Sequence, residues 1–270
     1  MSQPHHCHGT QCVELHPPER NRMFYGKLLD VYHLELEQNY FNGKRWLLNR
    51  LVTGYGVICG LDVRPGREGG IVVQPGIAID KWGREIIVSE ASKPIPLPSP
   101  PPVEGSSPEQ NQPEQSGKRQ RGGCDDDDRA WVHIVLCYRE CLANPVPALG
   151  DDCSGEQRCS PGTIRERYEI CLREGKAPEV HLRCSIPDLV TGDKLDYAAL
   201  ARHVSQPCRS CAEEPCIALA NVGLPVEGTY VSEDDIDITV RPIVYTNDLL
   251  FEIIVGLLRN EQSAPRGGKP

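Results

Sequence analysis

Gly54-Tyr55-Gly56-Val57-Ile58-Cys59-Gly60-Leu61-Asp62-Val63 is the stretch in which the chain changes its period. Within it Val57, Cys59, Leu61 and Val63 alternate with their neighbours, as a half-buried strand requires, and this places Cys59 in the core. Gly54 supplies the left-handed residue at which a preceding helix stops. A helix that gives way at once to a strand argues for a mixed α+β fold.

Upstream, Asp30 is placed to cap a helix whose apolar positions include Leu34, Tyr40, Phe41, Leu47, Leu48 and Leu51. Leu34, Phe41 and Leu48 repeat every seven residues and, with Tyr40, Leu47 and Leu51 beside them, form one stripe wide enough for a core or a partner helix. Downstream, Ile71 to Val73, Ile77 to Ile79 and Ile86 to Val88 read as short strands. Pro75-Gly76 and Lys81-Trp82-Gly83 separate them, which predicts a small antiparallel meander.

Residues 93–128 lose this periodicity and fill with Pro, Ser, Glu, Gln and Gly, the composition of a linker or an extruded loop. Ala130 to Tyr138 resumes as a strand apolar enough to be buried on both faces, and Tyr168 to Leu172 is a further strand candidate. Asp196 to Val204 reads as a short helix, and Ile217 to Leu224, Ile236 to Val240 and Ile243 to Tyr245 as strands. Asn247 then caps a terminal helix that carries apolar groups around most of its circumference. Such a helix must be buried, either within the fold or, the favoured reading, against other subunits.

The expected organisation is therefore a disordered His/Cys-rich tail at 1–22, a helix plus β-meander at 23–92, and the linker or extruded loop at 93–128. A β-rich region with cysteine-rich loops and a C-terminal helix follows at 129–260, and a disordered tail at 261–270. In fold class this is α+β: an N-terminal helix, a small antiparallel β body, a cysteine-rich loop region and an apolar C-terminal helix.

At 270 residues the chain can bury a core without disulfide staples. A formal charge of −9 argues against a nucleic-acid polyanion as partner. With 24 Pro, 25 Gly and 6% aromatics, the composition suits a loop-rich, partly β fold. No apolar run approaches the roughly 20 residues that span a bilayer. The opening Met1-Ser-Gln-Pro-His-His-Cys-His8 lacks the basic-then-apolar layout of a signal peptide, so the expected location is the cytoplasm.

Thirteen cysteines in a reducing compartment point to metal ligation rather than to a disulfide framework. The strongest signal is Cys208-x2-Cys211-x4-Cys216, three sulfurs in one tight segment, with His203 or Cys184 as the fourth ligand of a tetrahedral zinc. A second group, Cys137, Cys141, Cys153 and Cys159, lies in a stretch poor in apolar residues. There a metal could replace the missing core, or the thiols could be free or opportunistically paired. No His-Glu-x-x-His, Gly-x-Ser-x-Gly, phosphate-loop or dinucleotide motif occurs.

Met23-Phe-Tyr-Gly-Lys-Leu-Leu29, Glu35-x-Glu-Gln-x-Tyr-Phe41, Asn49-Arg-Leu51 and Gly54-Tyr-Gly-Val-Ile-Cys-Gly-Leu61 resemble an uncharacterised bacterial family encoded near phage-tail-like contractile injection systems. The likeness extends to Val73-x-Pro-Gly-x-Ala-Ile-Asp80, Gly83-Arg-Glu85, Tyr138-Arg-Glu-Cys141, Pro145-Val-Pro147 and Arg241-Pro-Ile-Val-Tyr-Thr-Asn247. The resemblance implies a baseplate, spike-adjacent or fibre-like component and carries no activity to particular residues. The expected function is a non-enzymatic structural or adaptor subunit of such an apparatus. It would be homo-oligomeric, in contact with other baseplate or tail-type proteins, and stabilised by cysteine-ligated zinc. The alternatives are a zinc- or thiol-dependent enzyme of hydrolase type and a carbohydrate- or surface-binding module.

Overall fold

A computed structural model describes residues 7–8, 12, 14–15, 17–66, 70–98, 129–147, 159–180, 190–191, 194–225 and 230–263, with residues 7–8, 190–191, 194 and 260–263 described by their backbone alone. The described elements run β1 (Cys7–His8), α1 (Val31–Leu48), β2 (Gly56–Gly60), β3 (Val63–Pro65), β4 (Ile71–Val73), β5 (Gly76–Ile79), β6 (Glu85–Val88), β7 (Trp131–Pro147) and β8 (Cys159–Glu174). They continue with β9 (Val190–Thr191), β10 (Lys194–Leu195), α2 (Tyr197–Val204), β11 (Ile217–Gly223), β12 (Ile236–Asp237) and α3 (Asn247–Ser263). The fold is a mixture of helices and antiparallel sheets.

One core joins the sheets. Val57, Leu61, Val63, Ile71, Val73, Ile86 and Val88 from the first half pack with Ile134, Leu136, Tyr138, Ile217, Leu219 and Val222 from the second. The larger sheet has the order β1-β7-β11-β12, with β8 on the other edge of β7. β2-β5-β6 form a second sheet, and the hairpin of β3 and β4 is inserted between β2 and β5. The expected strands of residues 57–88 are present, but the order is not that of a simple meander, because β2 skips the hairpin to pair with β5.

Cys59 is exposed, and the expectation of a core position for it is corrected. Val57 stands opposite Ala78 but Cys59 opposite Ile77, so the register slips between them. A bulge of this kind breaks the period-two alternation on which the expectation rested. The face recovers at Leu61, fully buried in a left-handed backbone conformation with φ 56°.

α1 begins where the sequence places it. The Asp30 carboxylate accepts the His33 N–H at 3.1 Å, satisfying one of the free donors of the first turn. That backbone hydrogen bond holds the Asp30 carboxyl below its ordinary value. The helix passes into a π-helical turn, Asn49–Thr53, and ends at Gly54 with φ 86°. Trp46 is the buried residue of α1. Leu34, Phe41 and Leu48 are 55%, 61% and 60% exposed, so the stripe is turned to solvent.

The second half differs in extent. β7 and β8 run well beyond the short strands read from the sequence. Their register, from Val132 opposite Glu174 to Pro147 opposite Cys159, turns the expected loop around Cys141 and Cys159 into a long two-stranded ribbon. The predicted strand at Ile236 to Val240 shortens to Ile236–Asp237, and Ile243 makes one isolated parallel bridge to Val57. α2 is capped by Asp196, which accepts from Ala198 N and Ala199 N. At α3 the Thr246 hydroxyl accepts from Leu249 N, one position before the Asn247 cap read from the sequence. Leu250, Phe251, Ile254, Leu257 and Leu258 of α3 are exposed rather than enclosed by this fold. No helix among the described residues is long and apolar enough to cross a membrane.

Candidate functional site

The cysteine-rich segment before β11 is held by covalent bonds between sulfurs. Cys211 is disulfide-bonded to Cys12, 199 residues away, and Cys216 to Cys137, 79 residues away. Cys141 is disulfide-bonded as well, and β1 runs antiparallel to β7 with Cys7 opposite Cys141 in the backbone register. In the chain-entropy account, closing loops of such length stabilises the folded state by on the order of 4–5 kcal/mol each. The segment read as a loose tail thus carries a strand and a covalent tie to the body.

These bonds overturn the zinc reading. A sulfur in a disulfide is no longer a thiolate and gives no charge to a metal. Among the described residues, no group of three or more His, Cys, Asp or Glu is placed to hold a metal ion. Cys208 is an exposed free thiol, and so is Cys159 at the start of β8. His203 lies in the last turn of α2, its Nδ1 buried without a hydrogen-bond partner. Cys153 and Cys184 lie outside the described residues. Spacing along the chain groups Cys216 with Cys208 and Cys211, whereas the antiparallel pairing of β11 with β7, with Ile217 opposite Leu136, carries Cys216 to Cys137. The available signal was a cysteine near the end of one predicted strand, Cys137, and another just before the start of a second, Cys216. Cys171, a free thiol on β8, packs against this bridge together with Val135, and burial pushes its thiol pKa up.

A second centre is the turn between β5 and β6, which the sequence reading treated only as a turn. The Asp80 carboxylate accepts Trp82 N–H and Arg84 N–H at 2.9 Å each on Oδ1, and Arg84 Nε and Nη2 at 2.7 Å each on Oδ2. Both side chains are almost completely buried, Asp80 at 0% and Arg84 at 2% exposure. Burial raises the Asp80 carboxyl above its ordinary value, and the Arg84 charge opposes that rise. The Arg84 guanidinium also lies over two rings, 4.7 Å from the centre of Trp82 and 4.5 Å from that of Tyr138.

Four distant segments meet at this turn. Asn49 Nδ2 donates to Gly83 O and Glu85 Oε1, tying on the end of α1. Gly83 has φ 89°, and a Cβ there would run into the Trp46 carbonyl, so only glycine lets the helix approach. Trp82 Nε1 donates to Ala212 O at 2.7 Å and Lys81 N to Pro215 O at 2.9 Å, fixing the segment between the two disulfides. Arg173 of β8 is ion-paired with Glu214, and the Tyr138 hydroxyl donates to Glu140 at 2.8 Å.

Chemically this is a joint. The Arg84 edge is occupied by Asp80 and its faces by two rings, which leaves a ligand no approach to the charge. Asn49, Asp80, Gly83, Arg84, Glu85, Tyr138 and Glu140 all come from the motifs quoted for the family resemblance, and the fold brings them to one place. No family model and no curated protein matches the chain.

Proposed function

We propose that this chain is a non-enzymatic structural or adaptor subunit of a phage-tail-like contractile injection particle, acting through assembly with copies of itself and with baseplate or tail-type proteins. The observation that carries the reading is the unpartnered apolar stripe of α1. Leu34, Phe41 and Leu48 recur at heptad spacing and each keeps more than half of its surface in solvent. A stripe of this kind gains stability when a second helix covers it, at roughly 25 cal/mol per Å² of apolar surface removed from water. The exposed apolar side chains of α3 add a second such surface.

The disulfide-tied body supports the same reading, since a particle component must keep its shape under load. In this reading the chain is made and assembled in the cytoplasm. Its disulfides then belong to the finished particle, because such bonds persist where cellular reductants do not reach.

The test is size-exclusion chromatography with light scattering on the full chain. The reading expects an oligomer, reduced to a smaller species by Leu34→Glu/Phe41→Glu with unchanged far-ultraviolet circular dichroism. A wild-type chain that stays monomeric at high concentration, and does not co-sediment with particles when co-expressed with them, defeats it.

A further inference from the structure

The ribbon of β7 and β8 outruns the sheet that supports it. β11 pairs with β7 only as far as Leu136, so beyond that point β7 has, among the described residues, β8 on one edge and on the other the two residues of β1, at Glu140 and Cys141. A two-stranded ribbon in water is marginal unless something covers it. The two faces of this one carry opposite charge. Successive residues alternate between faces, and residues directly opposite share one.

On the face continuous with the core, the pair Tyr138 and Tyr168 is followed by Glu140 opposite Glu166, and then by Leu142 opposite Ile164. Leu142 and Ile164 are 42% and 63% exposed. On the reverse face Arg139 stands opposite Arg167, with Arg165 next along the strand. Like charges directly across a ladder are destabilising, and this ribbon has such a pair on each face, in adjacent positions. Arg139 is ion-paired with Glu169, but Arg165 and Arg167 make no ion pair with any described residue. Both line an open hollow at the edge of the ribbon, together with Leu142, Ala143, Pro145 and Pro161.

We infer that the ribbon is a docking arm for a second copy of this chain, the acidic and aliphatic face of one arm seating on the Arg165 and Arg167 face of the next. The match is one of charge and of shape. Two carboxylates meet two guanidinium groups that have no ion-pair partner among the described residues, and the exposed Ile164 reaches the hollow beside them. The contact joins different faces, so it is head-to-tail and repeats into a ring or a stack. The inference rests on the proposal that the chain assembles with itself, and assigns one contact of that assembly, separate from the helices.

Charge reversal on the full chain tests it. Glu140→Lys/Glu166→Lys makes both faces cationic, and Arg165→Glu/Arg167→Glu makes both anionic. All four side chains lie outside the core; Glu140→Lys gives up the hydrogen bond from the Tyr138 hydroxyl, so unchanged circular dichroism and a cooperative melt, rather than an identical melting temperature, verify that each variant folds. Each variant alone should self-associate at least about tenfold more weakly than wild type in light scattering at low salt, because like charges then face each other across the contact. An equimolar mixture of the two should regain wild-type association.

Assembly that survives in both variants, or a mixture that stays dissociated, overturns the arm contact while leaving helix-mediated assembly standing. A monomeric wild type overturns the assembly reading itself. A wild type that binds poly-glutamate through Arg165 and Arg167 without self-associating gives the cationic face to an acidic foreign chain and overturns the second-copy assignment.

Discussion

The Arg84 guanidinium stands 4.5 Å from the centre of the Tyr138 ring while two of its nitrogens hold Asp80, so the β5–β6 turn and β7 share one buried charge. Removing one member of a buried ion pair leaves the other uncompensated, a loss of about 3–5 kcal/mol, whereas replacing both by apolar groups of similar size can be neutral. Asp80→Asn, which keeps the shape and removes the charge, should therefore lower stability by about 3 kcal/mol in urea unfolding. Asp80→Leu/Arg84→Met should recover much of that loss. A single substitution that costs under about 1 kcal/mol would show that the pair does not hold this joint.

How far the sequence reached follows from the range of each signal. Asp30 and Gly54 act within one helical turn of themselves, and the helix ends they mark were legible, whereas Asp196 was read as part of α2 and is its cap. The strands around Ile71, Ile77 and Ile86 were legible for the same reason, since alternation is local. Cys59 failed because a one-residue bulge is invisible in an alternating pattern. The ribbon beyond Tyr138 was missed because Arg, Glu and Pro on two exposed faces erase the hydrophobic period. The Asp80 and Arg84 joint needed Tyr138, 54 positions beyond Arg84, and the disulfides needed the register of β11 on β7; a single sequence states neither.

The Cys12–Cys211 and Cys137–Cys216 bonds differ in shielding, and that difference predicts an order of reduction. Cys137 and Cys216 are 1% and 6% exposed, whereas Cys12 and Cys211 are half-buried. A mild thiol reductant under native conditions should open Cys12–Cys211 first and reach Cys137–Cys216 only as the fold opens. Trapping with an alkylating agent and mapping the labelled peptides by mass spectrometry reads the order. Cys137→Ser/Cys216→Ser should lose about 2–5 kcal/mol in urea unfolding. Equal labelling of both pairs at all times of reduction would count against the burial that separates them.

Acid should unfold the protein through its surface carboxylates. At Asp235 burial pushes the carboxyl up, but the Ser232 N–H and hydroxyl and the Arg129 guanidinium outweigh it, and the net shift is downward from 3.8. Asp237 is also lowered: burial pushes it up, and hydrogen bonds from Thr239 and Asn221 outweigh that. A carboxyl whose folded value lies below its unfolded one contributes stability that is complete above the unfolded value and is lost as the pH falls through the folded one. Melting temperature followed from neutral pH down through 3.8 should therefore fall steeply in wild type. It should fall less steeply in Asp235→Asn, which starts from lower stability at neutral pH because the Arg129 ion pair is gone. An Asp235→Asn profile parallel to wild type across the acid range would remove Asp235 from the set of groups that drive acid unfolding.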